Sequence, residues 1–389
     1  MIKTFFLRLK WCPLLCMILL CFSISIPLSA GPESKVEPKP KGFPKGSEVR
    51  VMTDRTSNHL QPLWAMFQED TGITVKSVYL KKGLVNRFRA RPREADLVLV
   101  KNIFLLEQFK QEGLLGLDAK LWKNSPVDKK YWDTAGKYTS LSSRGRVIYF
   151  NRKKVKPSQL DSYFDLAKPE WKGRICIRSG YHNYNLSLFS QLAVVYGPKQ
   201  TEKFIRGLAA NLARAPKGND RAQIKAIMQG KCDLAIANHY YYGVMLGIPE
   251  QKPWAEATRM FFPEQKASGT VLLRSGVALT QNQKRRAEAK ALISWLQGPR
   301  AQGWISGKLY SFPVLKGVAI SGVNQDFTVN VAFNKQSYKR RKLASKKVAS
   351  IEKKSGKAMF KTHVVPLSSV LEKREWVMKV LNDVNFDRN

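Results

Sequence analysis

Short β-type runs alternate with helix-periodic segments along most of the 389 residues, and this alternation restricts the fold more than any other feature. Strands are expected at Val49–Met52, Val75–Tyr79 and Leu97–Val100. Between them fall a helix over Leu60–Glu69 that Gly72 ends and another over Leu105–Gln111 that stops at Gly113. Such an order builds a sheet with helices on both faces, because each helix must lay its apolar stripe against a strand layer. The pattern resumes with Val147–Phe150, Ile175–Ile177, a helix over Thr201–Leu212 with Phe204, Leu208 and Leu212 four residues apart, and Leu234–Ala237. Two α/β units in succession predict two lobes, each a mixed sheet flanked by helices. Strands at Val271–Leu273 and Val277–Leu279 and a helix over Lys284–Leu296, stopped by Gly298-Pro299, are expected to return to the first lobe. The expected division is 48–140 plus 272–325 for lobe 1 and 141–271 plus 360–389 for lobe 2, with a hinge crossed twice. Val370, Val377, Leu381 and Val384 predict one final helix docked on the body.

The first thirty residues read as a secretory signal peptide. Lys3, Arg8 and Lys10 precede an apolar stretch from Trp11 to Ile26 that ends in Pro27-Leu28-Ser29-Ala30, with cleavage expected after Ala30. Residues 31–47, rich in Pro, Lys and Gly, are expected to be a flexible leader. No later stretch is long and apolar enough to span a membrane, so the mature product is expected to be soluble and outside the cytoplasm. Cleavage leaves only Cys176 and Cys232 of the five cysteines. An even pair in an oxidising compartment reads as one disulfide, the alternative being two separate buried thiols.

Charge is the other outlying property: 67 Lys and Arg stand against 29 Asp and Glu. With 44% apolar or aromatic residues the chain still fills a core, so the excess bears on solubility and partners, not on fold. Residues 335–361 concentrate eleven Lys or Arg against Glu352 alone, and 326–359 is expected to be a basic insert.

The sequence holds no G-x-S-x-G, no H-E-x-x-H, no phosphate loop and no G-x-G-x-x-G after a strand, so no catalytic constellation supports an enzyme. His59, His182, His239 and His363 are scattered. Tyrosines cluster instead: Tyr181 and Tyr184 follow one expected strand, and Tyr240, Tyr241 and Tyr242 follow another. In open α/β sheets the ligand crevice lies outside the carboxyl ends of the strands, where both clusters are expected to face it. Phenolate is a hard anionic ligand suited to Fe(III), and a free phenol, with a pKa of about 10, must lose its proton to bind. A cationic surround assists that ionisation.

From Val49 to about Val318, and again from Phe360 to the end, the chain resembles the ferric-iron-binding periplasmic proteins of ABC transporters. The matching stretches are Asp165-Leu-Ala-Lys-Pro-Glu-Trp-Lys-Gly-Arg-Ile-Cys-Ile-Arg-Ser, Asn183-Tyr-Asn-Leu-Ser-Leu, Gly230-Lys-Cys-Asp-Leu-Ala-Ile-Ala-Asn-His-Tyr-Tyr-Tyr-Gly and Phe261-Phe-Pro. The resemblance implies the two-lobe class II periplasmic-binding-protein fold and capture of Fe(3+) in the interlobe cleft. Delivery to a permease driven by its ATPase in the inner membrane is also implied, for a monomer that binds no nucleic acid. It places the metal ligands on Tyr184, Tyr240 and Tyr241, and it supports the Cys176–Cys232 disulfide.

The first lobe departs from the family's pattern. Arg55-Thr56-Ser57-Asn58 stands where many relatives carry His-Tyr after Ser-Arg, and Val244 stands where they often have arginine. Coordination is therefore expected to be completed by an anion such as carbonate, by water, or by His59, with Arg55 and Arg146 as candidate anion holders. Two rival readings stay open: a binder of an iron chelate or other small anionic ligand on the same fold, and a basic surface protein that binds polyanions. Salt would weaken the last steeply, whereas coordination in a cleft depends on pH.

Overall fold

The computed structural model describes residues 42–388 except 283, 319, 324–329, 331–360 and 364. The expected signal peptide, residues 31–41 of the leader and, apart from Asn330, the whole basic insert lie outside the described residues.

The strands are β1 (Glu48–Thr53), β2 (Thr74–Tyr79), β3 (Leu97–Val100), β4 (Thr139–Asn151), β5 (Ile175–Cys176), β6 (Leu234–Asn238), β7 (Thr258–Phe261), β8 (Thr270–Leu279), β9 (Phe312–Pro313) and β10 (Thr362–His363). The helices of the first part are α1 (Ser57–Thr71), α2 (Leu84–Ala90), α3 (Phe104–Gln111) and α4 (Ala119–Lys123). Next come α5 (Asn183–Tyr196), α6 (Pro198–Ala210), α7 (Asp220–Met228), α8 (Tyr241–Leu246) and α9 (Lys252–Glu256). The last four are α10 (Arg286–Gln297), α11 (Pro299–Leu309), α12 (Leu367–Glu372) and α13 (Arg374–Asp383).

The sheet runs β2-β1-β3-β8-β4-β6-β5. β1 is parallel to β2 and β3, and β5 is parallel to β6, while β8 is antiparallel to β3 and β4. Two strands join its two ends. The Thr139–Gly145 part of β4 pairs with β8, and its Arg146–Asn151 part pairs with β6 and β7. β8 extends from a bridge to β10 at Thr270 to its pairing with β3 at Leu279.

Burial follows the same division. Val49, Val51, Leu60, Phe67, Leu97, Leu292 and Ile293 pack one cluster against the β1–β3 end. Phe150, Trp171, Leu186, Phe189, Phe204 and Leu208 pack another against the β5–β6 end. In the C-terminal segment, Leu367 and Val370 join a cluster with Phe88, Phe104 and Phe109, whereas Val377, Leu381 and Phe386 join that of Phe189.

Several expectations change in detail. Val271–Leu273 and Val277–Leu279 are one strand, because the intervening Ser275-Gly276 continues the ladder. A side chain at Gly276 would put its Cβ 2.8 Å from Leu106 Cδ1 and 2.9 Å from the Thr139 carbonyl, so this glycine permits close approach and does not break the strand. Val147–Phe150 is the buried middle of the thirteen-residue β4. The single final helix is two, α12 and α13, meeting at Lys373. Gly72 ends α1 as expected, with φ 76° and its amide donating to the Gln68 carbonyl.

Cys176 and Cys232 form a disulfide with Cα atoms 5.8 Å apart. It joins the end of β5 to the approach to β6, the two strands that lead into the tyrosine segments. Closing a loop of 56 residues contributes about 4 kcal/mol in the chain-entropy treatment.

Candidate metal centre

The carboxyl ends of four strands bring the candidate residues together. Arg55 follows β1, Lys101 follows β3, the Arg178–Tyr184 segment follows β5, and the tandem tyrosines follow β6. A parallel strand turns at its carboxyl end into the loop that starts the next helix, so side chains from several loops meet there.

Tyr184 is the second residue of α5, whose N-cap is His182. The His182 Nδ1 accepts the Tyr184 amide at 3.2 Å, and its ring sits edge-on to the phenol at 4.6 Å. A lone pair on Nδ1 leaves the proton on Nε2. Burial first, then Arg178, lowers the His182 pKa to about 4, so the ring is neutral at pH 7. Three guanidinium carbons lie near the Tyr184 ring centroid: Arg144 and Arg146 at 5.7 Å and Arg178 at 5.2 Å.

Tyr240 and Tyr241 form the entry to α8, with ring centroids 4.2 Å apart. Both are half-buried. Burial, then Tyr184 and Tyr241, pushes the Tyr240 phenol well above its ordinary pKa, and Arg144 opposes the shift. Tyr241 is raised by burial, then by Asp220 and Tyr184. These mutual effects place the three phenols in one neighbourhood. The remaining clustered tyrosines turn away: Tyr242 stacks on Tyr149 in the core, its phenol pushed up to about 12 by burial, and Tyr181 donates to Asn382 Oδ1 on the surface.

His239, next to the tandem pair, is fully buried and holds the backbone in place. Its Nδ1 accepts the Gly145 amide at 3.0 Å, its Nε2 pairs with the Tyr310 carbonyl at 2.9 Å, and its ring stacks on Phe312 at 3.9 Å. Burial lowers its pKa to about 3. With both nitrogens used it is a fixed prop beside the site.

From the first half, Arg55 faces the tyrosines. Its pKa is lowered to about 10 by burial and then by Arg144, against the pull of Asp54, Tyr240 and Tyr184. His59 is exposed in the first turn of α1, its Nδ1 3.0 Å from Thr56 Oγ1, and desolvation, Arg55 and Lys101 lower its pKa.

Arg146 requires a correction. The expectation of an anion holder fails on geometry, because its side chain has no exposed surface and both terminal nitrogens are committed. Nη1 donates to Asp220 Oδ2 at 2.6 Å and Asn238 Oδ1 at 3.2 Å, and Nη2 donates to Asn185 Oδ1 at 2.6 Å and the Ile236 carbonyl at 3.2 Å.

Sequence reasoning missed Arg144, Arg178 and Asp220. Arg144 is 4% exposed, donates through Nη2 to the Lys101 carbonyl, and leaves Nε without a hydrogen-bond partner. Period-two alternation, which puts Arg144 and Arg146 on one face of β4, was the available signal. Arg144 and Tyr184 also line a small recess with Asn102, Ser187, Gln191 and Arg274. Among the described residues no group of three or more His, Cys, Asp or Glu side chains is placed to hold a metal, which leaves the phenols as the hard donors. No described helix is long and apolar enough to cross a membrane.

A mixed α/β sheet whose strand ends converge on one crevice defines a ligand-binding protein of the periplasmic-binding class. The chain belongs to the bacterial extracellular solute-binding proteins, whose family model matches residues 94–340. It is 34% identical over 279 residues to iron uptake protein A1 of Synechocystis, covering 70% of this chain and 78% of that one. The ferric iron-binding protein A of Mannheimia haemolytica, solved in an open conformation, superposes with a TM-score of 0.75 at 33% identity, covering 88% of this chain and all of that one. A Trichodesmium protein solved with iron and citrate superposes with a TM-score of 0.74 at 27% identity, covering 87% of this chain and 100% of that one.

Proposed function

We propose that this chain is the periplasmic capture protein of an iron importer, taking Fe(3+) on Tyr184, Tyr240 and Tyr241 and handing it to an inner-membrane permease driven by its ATPase. The observation that carries this reading is the convergence of three phenols, from two strand ends, beneath a crown of guanidinium groups. Three phenolates neutralise a trivalent ion, and hard oxygen donors select it over softer metals. Arg144 opposes the rise that burial gives the Tyr240 phenol, and Arg178 opposes it at Tyr241, so each eases the loss of a proton when metal binds.

An anion completes the site in this reading. Arg55 and Arg144 carry like charges close enough to depress the Arg55 pKa, and neither has a carboxylate within ion-pair distance among the described residues. A carbonate or carboxylate held between Arg55 and Arg144 offsets that repulsion and fills coordination positions that the first lobe lacks, with His59 as a further donor. The two halves, joined by β4 and β8, act as the two lobes of 48–140 plus 272–325 and 141–271 plus 360–389. They close over the ion, and the protein works as a monomer without enzymatic activity. The iron and citrate in the Trichodesmium structure favour a second version, in which iron and anion enter together as a chelate.

The deciding experiment is a visible absorption titration of the mature protein with ferric citrate beside a Tyr241→Phe variant. A phenolate-to-iron charge-transfer band that weakens in the variant supports the reading. A folded, metal-free protein that develops no band removes it and favours an anionic small-molecule ligand.

A further inference from the structure

A single carboxylate holds the two tyrosine-bearing segments from behind. Asp220, the first residue of α7, has no exposed surface. Its Oδ2 accepts from Arg146 Nη1 at 2.6 Å and from the Asn238 amide at 2.9 Å, and its Oδ1 accepts from Arg178 Nη1 at 3.1 Å. Arg146 passes the connection to Asn185 Oδ1 at 2.6 Å, and Asn185 Nδ2 donates to the carbonyls of Arg178 and Ser179 at 3.0 and 3.1 Å. Asn185 directly follows Tyr184, and Asn238 lies two residues before Tyr240.

We propose that Asp220 is a positioning residue for the captured ion, which fixes Tyr184 through Arg146 and Asn185 and fixes Tyr240 and Tyr241 through the Asn238 amide. This rests on the ferric reading of the three tyrosines. The two segments come from separate strand ends, and only within the β4–β6 body are they tied to a common atom group. The hydrogen bonds of this buried network hold its members in place, because each bonded group that moves leaves a partner unpaired in a low-dielectric interior; of the network's buried side-chain atoms only Arg146 Nε, Arg178 Nε and Asn238 Nδ2 make no hydrogen bond among the described residues. Coordination needs donors held within about 0.5 Å of their places, which exposed loops alone do not supply. Asp220 also sets the charge around the phenols: it balances one of its two arginines, so with Arg144 two of the three positive charges near Tyr184 remain.

The bland alternative is that Asp220 only fastens α7 to β6. The two roles separate in a ferric titration of wild type, Asp220→Asn, Asn185→Ala and Tyr184→Phe, followed by the charge-transfer band, with near-UV circular dichroism and melting curves as the check on folding. Loss of a partner that orients metal ligands lowers metal affinity roughly 10–100-fold, and that loss with a weakened or shifted band is expected for folded Asp220→Asn. Asn185→Ala leaves the buried ion pair intact. It is expected to weaken the band as Tyr184→Phe does, with little further loss when the two are combined. If Asp220→Asn does not fold, Asn185→Ala decides. A lower melting temperature for Asp220→Asn with wild-type band and affinity overturns the proposal, as does an unaffected Asn185→Ala where Asp220→Asn is unfolded. Absence of the band in wild type defeats the ferric reading and this proposal together, whereas a wild-type band unchanged in the variants defeats this proposal alone.

Discussion

At the scale of single residues, protonation governs the site. Burial raises the Tyr240 and Tyr241 phenols above their ordinary pKa, so both are protonated at neutral pH in the absence of metal and each must release a proton to bind iron. Conditional affinity is therefore expected to fall by about tenfold per pH unit for each proton displaced. Competition with a chelator between about pH 6 and pH 8, corrected for the chelator's own protonation, measures the slope, and Tyr241→Phe is expected to lower it by one proton. The histidines act on the fold itself. His239 and His182 have pKa values lowered to about 3 and about 4, so below the unfolded value near 6.5 the unfolded chain binds protons that the folded chain refuses. The sign is loss of stability on acidification, at about 1.4 kcal/mol per pH unit per histidine within that window. Urea midpoints at a series of pH values read this slope. His182→Gln is expected to reduce it by one proton's worth, and an unchanged slope would contradict the assignment.

Elements set how tightly the tyrosines are seated. α8 begins at the tandem pair, and Gly243 within it faces the Tyr310 ring, where an added Cβ would lie 2.5 Å from the nearest ring carbon. Tyr310 has little freedom to withdraw, since its φ of 53° is already left-handed and its carbonyl pairs with His239. Gly243→Ala is thus expected to destabilise the protein by about 1–3 kcal/mol and to weaken iron binding by displacing α8. Melting and the charge-transfer titration test the two halves of that statement. The same scale shows what the sequence conveyed. Leu97–Val100 was readable to the residue because β3 is a fully buried apolar run with turns on either side. The length of β4 was not, because Ser140, Ser142, Ser143, Arg144 and Arg146 are polar residues buried in a strand. Ser142, Arg144 and Arg146 find partners in distant segments, at Ser275, the Lys101 carbonyl and Asp220, and hydropathy alone cannot supply those partners.

For the whole molecule, β4 and β8 are the strands that join the two halves of the sheet among the described residues, and α12 packs on both α3 and α5. Closure of the proposed lobes on iron predicts a smaller radius of gyration by solution X-ray scattering when ferric citrate is added, with no decrease in Tyr184→Phe. An unchanged radius in wild type on loading contradicts closure. The charge of +38 belongs to this scale too. Polyanion binding would collapse with added salt, whereas iron capture in the crevice is expected to change little between about 50 and 200 mM salt.

The sequence by itself determined the α/β alternation, the positions of most strands, the two tyrosine clusters and the cysteine pair. These are local signals: hydrophobic period, stop residues and composition are written in neighbouring positions. Only the tertiary structure decided that Arg146 is a buried strut and not an anion holder, that Arg144 and Arg178 crowd Tyr184, and that Asp220 ties both tyrosine segments together. Arg146 and Asp220 are 74 residues apart, and Arg146 and Asn185 are 39 apart. Whether a guanidinium faces a ligand or a carboxylate depends on which distant strand end folds beside it, and no local pattern encodes that choice.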